Sequence, residues 1–210
     1  MFNLDVRAAD KKTSSADGQI KFAVGNMKFL LPEEWQKLDS TSPLRSAHLI
    51  HRDEESGQKI DIIFFYFGHQ FNSKVYENMD EWRKQFITLQ KEEMFLGFRN
   101  DKNVYYLQVA GTYNRGLPGG TVRAIKDSGL LGAIIEDKRG NIYVKMSGPA
   151  EMVEKSKMPF RALVEGKTIA KIEEEIKAVE EAAQQQAEKS LADKSKAGEA
   201  KKKASKSGGH

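Results

Sequence analysis

The sequence predicts an α+β domain in which helices cover a mostly antiparallel β-sheet. Alternating apolar and polar residues indicate several strands early in the chain, the most apolar of them at residues 60–67. An amphipathic helix pattern follows at residues 78–91, more strands come next, and helical patterns follow Pro149. Strands and helices that are segregated in this way are typical of α+β proteins.

Four strands are predicted in the first part of the chain, at residues 18–24, 27–31, 44–51 and 60–67. In the first of them, Ile20, Phe22 and Val24 share one face, which is the pattern of a half-buried strand. Trp35 follows the second strand in a short turn or a single helical turn. The fourth strand is rich in β-branched and aromatic residues, so we expect it to be central and covered on both faces.

The clearest amphipathic helix pattern lies at residues 78–91. Asn78 is suited to cap this helix, and Asp80 and Glu81 lie in its first turn, where the helix dipole favours anions. Its predicted apolar face consists of Met79, Trp82, Phe86 and Leu89. Later strands are predicted at residues 104–113, 129–136 and 142–146, the last two joined by a hairpin turn.

Two helices are predicted after the last strand. The first covers residues 150–164, where Pro149 suits the first turn and Pro159 removes a backbone donor and should cause a kink. Gly166 ends this helix, and Thr168 is suited to cap the next one.

The positive charge of the chain belongs to its C-terminal segment. The chain has 34 Lys and Arg residues against 30 Asp and Glu residues, for a net charge of +4. Residues 189–210 hold seven Lys, one Asp and one Glu, which leaves residues 1–188 with a charge of −1. Composition therefore predicts disordered segments at residues 1–17 and 189–210, a domain at residues 18–166 and a charged amphipathic helix at residues 167–188.

The residue types exclude several kinds of chemistry. The chain has no cysteine, which excludes disulfides, a thiolate nucleophile and cysteine-ligated zinc. No apolar run reaches the roughly 18 residues of a transmembrane helix. His48 and His51 are three apart on a predicted strand, so they point to opposite faces and do not form a metal site. We find no phosphate-binding loop, dinucleotide turn or nucleophile elbow, and we expect no catalytic residue, metal or cofactor.

One loop combination could still bind a small ligand. His69 follows the predicted strand at residues 60–67, and Arg115 lies in a glycine-rich loop with Gly119 and Gly120. An arginine in such a loop is suited to bind a phosphate or a carboxylate. A ligand site or an enzyme active site at His69 and Arg115 is therefore one hypothesis, and it requires the two side chains to converge. The alternative interpretation is a mobile hairpin loop without a ligand.

The C-terminal segment offers a separate possibility. Its densest positive charge comes from Lys201, Lys202, Lys203 and Lys206. These side chains could contact nucleic acid or anionic lipid, although a simple solvated tail accounts for the same composition.

The order of the motifs resembles a known family. An apolar strand, Pro32 and then Trp35 are similar to the opening of domains with the PsbP-like fold, which includes the extrinsic photosystem II subunit PsbP and the Ran-binding Mog proteins. A longer series resembles a family of uncharacterised bacterial proteins that is common in planctomycetes and usually secreted or lipid-anchored. The series consists of PLRSA at 43–47, IFFYFG at 63–68, NMDEWRKQF at 78–86, VAGTY at 109–113, LLGAIIE at 130–136 and YVKMSGP at 143–149.

This resemblance covers residues 27–164 and implies an α/β/α sandwich around a central antiparallel sheet. It brings no catalytic residues, and it implies a non-catalytic binding or accessory module that docks on another protein. The chain differs from the family in lacking a lipid-attachment cysteine. Residues 1–17 contain no apolar secretory core, so the chain as given indicates a cytoplasmic location, or a periplasmic or envelope-associated one if a leader was removed.

Overall fold

The computed structural model describes residues 20–39, 42–69, 74–116 and 120–206. The chain divides into two compact units, residues 1–167 and residues 168–210. The first unit holds nine strands and three helices among its described residues: β1 (Lys21–Val24), β2 (Met27–Leu30), β3 (Trp35–Leu38), β4 (Ala47–Arg52), β5 (Lys59–Tyr66), α1 (Val75–Arg83), β6 (Phe86–Arg99), β7 (Lys102–Asn114), β8 (Ala124–Ile135), β9 (Ile142–Pro149), α2 (Ala150–Lys155) and α3 (Lys157–Glu165).

Seven of the strands form one sheet in the order β3-β4-β5-β9-β8-β7-β6. Every neighbouring pair in this sheet is antiparallel. β1 and β2 form a separate two-stranded hairpin. The prediction of an α+β domain with an antiparallel sheet is therefore confirmed, and β5 has a described neighbour on both sides as expected for an inner strand.

The two faces of the large sheet carry separate apolar clusters. On one face, β1, β2, α2 and α3 enclose a cluster that includes Phe29, Phe64 and Phe160, each almost fully buried. On the other face, α1 places Val75 and Met79 over the middle strands, in a second cluster that includes Leu107. Strand residues alternate between the two faces, so the strands from β5 to β9 contribute to both clusters, whereas β3 and β4 contribute only to the first.

Arg99, at the end of β6, joins the hairpin to α3. One guanidinium nitrogen donates to the carbonyl of Val164 at 2.7 Å, and another donates to the carbonyl of Lys28 at 2.6 Å. The guanidinium carbon lies 4.6 Å from the ring centre of Phe29. The side chain thereby satisfies a carbonyl at the C-terminus of α3, which has no partner within the helix, and fastens β2 to the same point. We call this arrangement the Arg99 clasp.

The predicted helix at residues 78–91 is wrong in both its start and its end. α1 begins at Val75, and Asn78 donates to the carbonyl of Lys74 instead of capping the helix. α1 ends at Arg83, and Phe86 already belongs to β6. Phe86 and Leu89 fit a helical period locally, but β6 pairs with β7 along nearly its whole length. The long ladder of backbone hydrogen bonds outweighs the local pattern.

The helical region after β9 breaks at Ser156, between α2 and α3. Pro159 explains the break, because its nitrogen cannot donate to the carbonyl of Lys155 four residues earlier. Pro159 instead lies in the first turn of α3, where backbone N–H groups have no helical partner. Gly166 ends α3 in the left-handed conformation, with φ of 67°, as the sequence predicts.

Two further elements differ from the sequence predictions. Trp35 begins the short edge strand β3 and does not lie in a simple turn. The second unit contains α4 (Ile169–Lys206), a continuous helix of 38 residues, which extends through most of the segment for which composition predicts disorder. Alanine, lysine, glutamate and glutamine all have high intrinsic helix propensity, which a composition argument based on low hydrophobicity ignores. No helix among the described residues is long and apolar enough to cross a membrane.

Candidate protein-binding surface

The structure does not bring His69 and Arg115 together. His69 lies three residues after Tyr66, and Arg115 directly follows Asn114. Pairing across the sheet places four residues in one row: Tyr66, Ile142, Ile135 and Val104. Asn114 lies ten residues further along β7 than Val104, a separation of about 33 Å at about 3.3 Å per residue. His69 and Arg115 therefore lie beyond opposite ends of the sheet.

The strand register thus does not bring these residues together in one ligand site. His69 and Arg115 are both exposed, and the backbone N–H of Arg115 donates to the carbonyl of Arg123 at 2.9 Å. Gly120 is exposed as well, whereas Gly119 lies outside the described residues. A site cannot act chemically when its groups are tens of ångströms apart.

The other predicted contact residues and histidines have separate surroundings. The helix α4 includes the four predicted contact residues Lys201, Lys202, Lys203 and Lys206. His48 Nε2 lies 2.8 Å from Asp61 Oδ1, and the ring of His51 stacks against Trp35. Within the described part of the chain, no group of three or more His, Cys, Asp or Glu residues is placed to hold a metal ion.

The most exposed apolar surface of the sheet lies on β6, its last strand. Three apolar side chains in the second half of this strand are about half exposed: Met94 (51%), Leu96 (48%) and Phe98 (46%). They alternate along the strand and pair with Leu107, Tyr105 and Asn103 of β7. Leu107 belongs to the cluster under α1, so all three side chains lie on that face of the sheet. We call these three residues the β6 stripe.

The opposite face of β6 is firmly packed. The ring of Phe95 stacks on Tyr106 with centroids 4.6 Å apart, and Lys157 Nζ lies 4.7 Å from the Phe95 ring centre. Gly97 lies directly against Tyr106 and Glu165, where any side chain would collide with both. These contacts fix the backbone of β6, so the stripe is presented by a well-ordered strand.

β6 is an edge strand, and only half of it has the usual protection against pairing. No described strand pairs with its outer edge. In its first half, the register with β7 shifts twice, between Phe86 and Thr88 and between Leu89 and Lys91. Such bulges and charged residues discourage further strand pairing. The second half, from Met94 to Arg99, pairs with β7 without a shift and carries the stripe.

Charged side chains occupy the middle of β6, and each has a partner. Lys91 Nζ lies 2.9 Å from Glu154, and Glu93 lies 3.2 Å from Lys157 Nζ. Glu92 lies 3.9 Å from Arg83 of α1. These ion pairs separate the bulged half of the strand from the open half.

A polar cleft of about 850 Å³ lies next to the stripe, beyond the turn between β6 and β7. It is lined by Lys74, Val75, Asp101, Lys102, Asn103, Glu136, Asp137, Lys138, Arg139 and Asn141. Asn103 pairs with Phe98, so the cleft continues from the end of the stripe.

The buried acid of this cleft is Asp137, whose side chain is 3% exposed. Its Oδ1 accepts the backbone N–H of Arg139 at 2.8 Å, and its Oδ2 lies 3.4 Å from Lys102 Nζ. Burial alone would raise the pKa of Asp137, but hydrogen bonds from Arg139 and Asn26 and the charge of Lys102 lower that pKa below its usual value. The hydrogen bonds of Asp137 thus stabilise the turn between β8 and β9.

The surface offers backbone hydrogen bonds, apolar contacts and a charged rim, which suit the binding of another polypeptide. The sequence predictions place no strand between residues 91 and 104, so they do not include this surface. The alternation of Met94, Leu96 and Phe98 was a signal for a strand. Their exposure, however, depends on the position of β6 at the edge, which the sequence pattern does not give.

Comparisons with known proteins do not assign this chain to a family. No protein-family model matches it, and no curated protein matches it. Among solved structures, it is similar to the cyanobacterial PsbP protein (CyanoP) of Synechocystis, with 13% identity over 75% of this chain and 94% of that one, at a TM-score of 0.43. It is also similar to PA94 of Pseudomonas aeruginosa, a protein of unknown function, with 11% identity over 70% of this chain and 94% of that one, at a TM-score of 0.37.

Proposed function

We propose that this domain is a non-catalytic binding module that docks another polypeptide, in extended conformation, along the open half of β6. The observation that carries this proposal is the β6 stripe, which leaves three large apolar side chains about half exposed on a strand whose outer edge has no described partner. Exposed apolar patches on soluble domains commonly mark interaction sites.

The backbone of β6 supplies the first part of the binding energy. In an antiparallel ladder, each strand directs half of its N–H and C=O groups toward one neighbour and half away from it. The outward groups of residues 94–99 face no described strand. An added strand would satisfy them, which is the β-addition mode of peptide recognition.

The β6 stripe supplies the second part and sets the sequence preference. An added strand places every second side chain on the face of Met94, Leu96 and Phe98. Apolar residues at those alternating positions would cover the stripe, and burial of each large apolar side chain contributes about 1–2 kcal/mol. The partner segment is therefore expected to be extended and apolar at alternate positions.

A titration followed by nuclear magnetic resonance tests this proposal. The probe is a synthetic peptide of alternating valine and threonine with lysine at both ends, added to the ¹⁵N-labelled full chain. We expect amide shifts concentrated at residues 94–99, and much weaker binding by a peptide that is N-methylated at alternate positions and cannot complete the ladder. Equal binding of both peptides, or shifts that avoid β6, would contradict the proposal.

We also propose the finer architecture that the motif resemblance implies, an α/β/α sandwich of the PsbP-like and Mog-like type. The support is the placement of α1 on one face of an antiparallel sheet and of α2 and α3 on the other. An accessory role in a larger assembly agrees with this architecture. An experimental structure that left either face of the sheet without its helix would contradict it.

The lysine-rich end of α4 is a second candidate surface. Its seven lysines against two acids favour an anionic polymer or membrane as the partner. Deletion of residues 189–210 should abolish sedimentation with vesicles that contain phosphatidylserine and leave the melting temperature unchanged. Sedimentation that survives the deletion would remove this candidate.

A further inference from the structure

The open half of β6 is chemically complementary to itself. When an edge strand pairs antiparallel with its own copy, a twofold axis normal to the sheet passes between the strands, midway between the two copies of one residue. That residue lies opposite its counterpart, and residues at equal distances on either side lie opposite each other on the same face. Each possible centre therefore fixes a complete set of cross-strand neighbours.

A centre at Leu96 matches the whole β6 stripe with apolar partners. Leu96 lies opposite Leu96 of the second copy, and Met94 lies opposite Phe98 of the second copy, twice by symmetry. Directly opposed side chains have Cβ atoms about 4.5–5.5 Å apart, close enough for contact. All six half-exposed side chains would thus cover one another, and none would face a charge.

The same centre matches the other face of the strand. Phe95 lies opposite Gly97, so a large ring meets a residue without a side chain. The charged residues of this face add no contact of their own, because Glu93 already pairs with Lys157 and Arg99 is held in the Arg99 clasp.

The neighbouring centres lack this complementarity. A centre at Phe95 places Lys91 opposite Arg99 and Glu92 opposite Phe98. A centre at Gly97 places Met94 opposite Asn100, which belongs to the turn after β6. Only the centre at Leu96 therefore gives every residue of the β6 stripe an apolar partner.

From this pattern we infer that the polypeptide that docks on β6 is a second copy of this chain, paired antiparallel about Leu96. This inference rests on the proposed function and names its partner. The two seven-stranded sheets would join edge to edge into one continuous sheet. A ladder of about seven residues lies at the small end of specific interfaces, so we expect a dissociation constant of roughly 1–100 µM.

Sedimentation of the full chain across 1–300 µM, with one substitution and its matched control, tests the dimer. Leu96→Lys places two ammonium groups opposite each other at the axis, and we expect at least a tenfold weaker dimer with an unchanged melting temperature. Ile87→Lys is the control, because Ile87 is 49% exposed against 48% for Leu96 and lies in the bulged half of the same strand. A Leu96→Lys dimer as strong as the control would overturn the inference and assign association to another surface.

Cysteine cross-linking tests the centre itself, because the chain has no native cysteine. Leu96→Cys places two thiols next to each other across the axis, and mild oxidation or a short bis-maleimide should give a covalent dimer. Ile87→Cys lies nine residues from the axis, so its two copies would be about 60 Å apart at about 3.3 Å per residue, and no cross-link should form. Equal cross-linking of the two variants would overturn the proposed register.

These outcomes separate the inference from the proposed function. A chain that stays monomeric at 300 µM but still binds the alternating peptide at residues 94–99 overturns the self-pairing and leaves the docking function intact. A chain that neither dimerises nor binds the peptide overturns both.

Discussion

Tyr106 donates a hydrogen bond from its buried hydroxyl to Glu165 Oε1, 3.1 Å away. The Glu165 side chain is fully buried, and it also receives Arg161 Nε at 2.9 Å and Lys167 Nζ at 3.1 Å. Burial, with the nearby charge of Glu165, raises the pKa of Tyr106 well above its usual value. This cluster joins β7 to the end of α3 directly behind Gly97, and so it supports the strand that carries the β6 stripe.

Glu165→Ala is expected to destabilise the domain strongly. Removal of the carboxylate leaves Arg161, whose side chain is 8% exposed, without its buried partner. Loss of one member of a buried ion pair costs about 3–5 kcal/mol. Tyr106→Phe removes one hydrogen bond and keeps the ring contacts, so it should lower the free energy of unfolding by only about 1 kcal/mol.

Urea unfolding of these variants measures the difference. Glu151→Gln serves as the control, because Glu151 and Lys155 form an exposed ion pair on α2. Such a pair contributes less than about 1 kcal/mol to the free energy of unfolding. If Glu165→Ala and Glu151→Gln lost the same stability, the buried cluster would have no special role.

Lys145→Met is expected to stabilise the domain at neutral pH. Lys145 lies on the α1 face of β9, donates to Gln85 Oε1 and has its Nζ 5.7 Å from the ring centre of Tyr113. No carboxylate in the described part of the chain lies within ion-pair distance of it. Burial lowers the pKa of Lys145 to about 8, so holding the charged form in the folded state is unfavourable.

The pH dependence of this effect has a defined sign. Between pH 8 and the unfolded pKa of about 10.4, the unfolded chain binds more protons at Lys145 than the folded chain, so stability rises with pH. The advantage of Lys145→Met should be largest below pH 8 and shrink as the pH rises toward 10. Thermal unfolding at pH 7 and pH 9.5 measures this, and an advantage that grows with pH would contradict it.

Asp137→Asn is expected to weaken the domain at pH 7 by about 1.5–3 kcal/mol, the usual contribution of hydrogen bonds to a charged group. Because the folded pKa of Asp137 is lowered, the stability it contributes is present above the unfolded pKa of about 3.9. That stability is lost as the pH falls through the folded value. The difference between wild type and variant should therefore shrink as the pH falls below about 3.9, which denaturant unfolding at pH 7 and pH 3 measures.

Gly132→Ala is expected to destabilise the domain by about 1–3 kcal/mol, the usual cost of overpacking. The added methyl group would overlap the indole ring of Trp82, which lies directly on the backbone of β8. Trp82→Leu should remove most of the penalty in the double variant, since the smaller side chain leaves space for the methyl group. Additive losses in the double variant would show that the ring is not the cause.

Much of the fold follows from local signals in the sequence. The alternating residues of β7, the turn before β9 and the glycine at 166 each specify their structure within a few residues. Pro159 similarly disrupts the helix, although the break falls three residues earlier than the proline itself.

The parts that sequence reasoning missed depend on distant contacts. Phe86 and Leu89 satisfy a helical and an extended pattern, and pairing with β7 decides between them. His69 and Arg115 are both at strand ends, but only the strand register shows that the ends are opposite. The β6 stripe is visible as alternation in the sequence, whereas its exposure follows from the order of strands in the sheet.

The Arg99 clasp has a mechanical consequence. It connects β2, near the start of the described domain, to the last turn of α3 at its end. A force that pulls the hairpin away from α3 in a single-molecule experiment would load the hydrogen bonds of Arg99 and the contacts of Phe22 and Phe29 with Phe64 before it reaches the main ladder of the sheet. We expect the hairpin to detach first, at low force. The seven-stranded sheet should then unfold in a separate step at higher force.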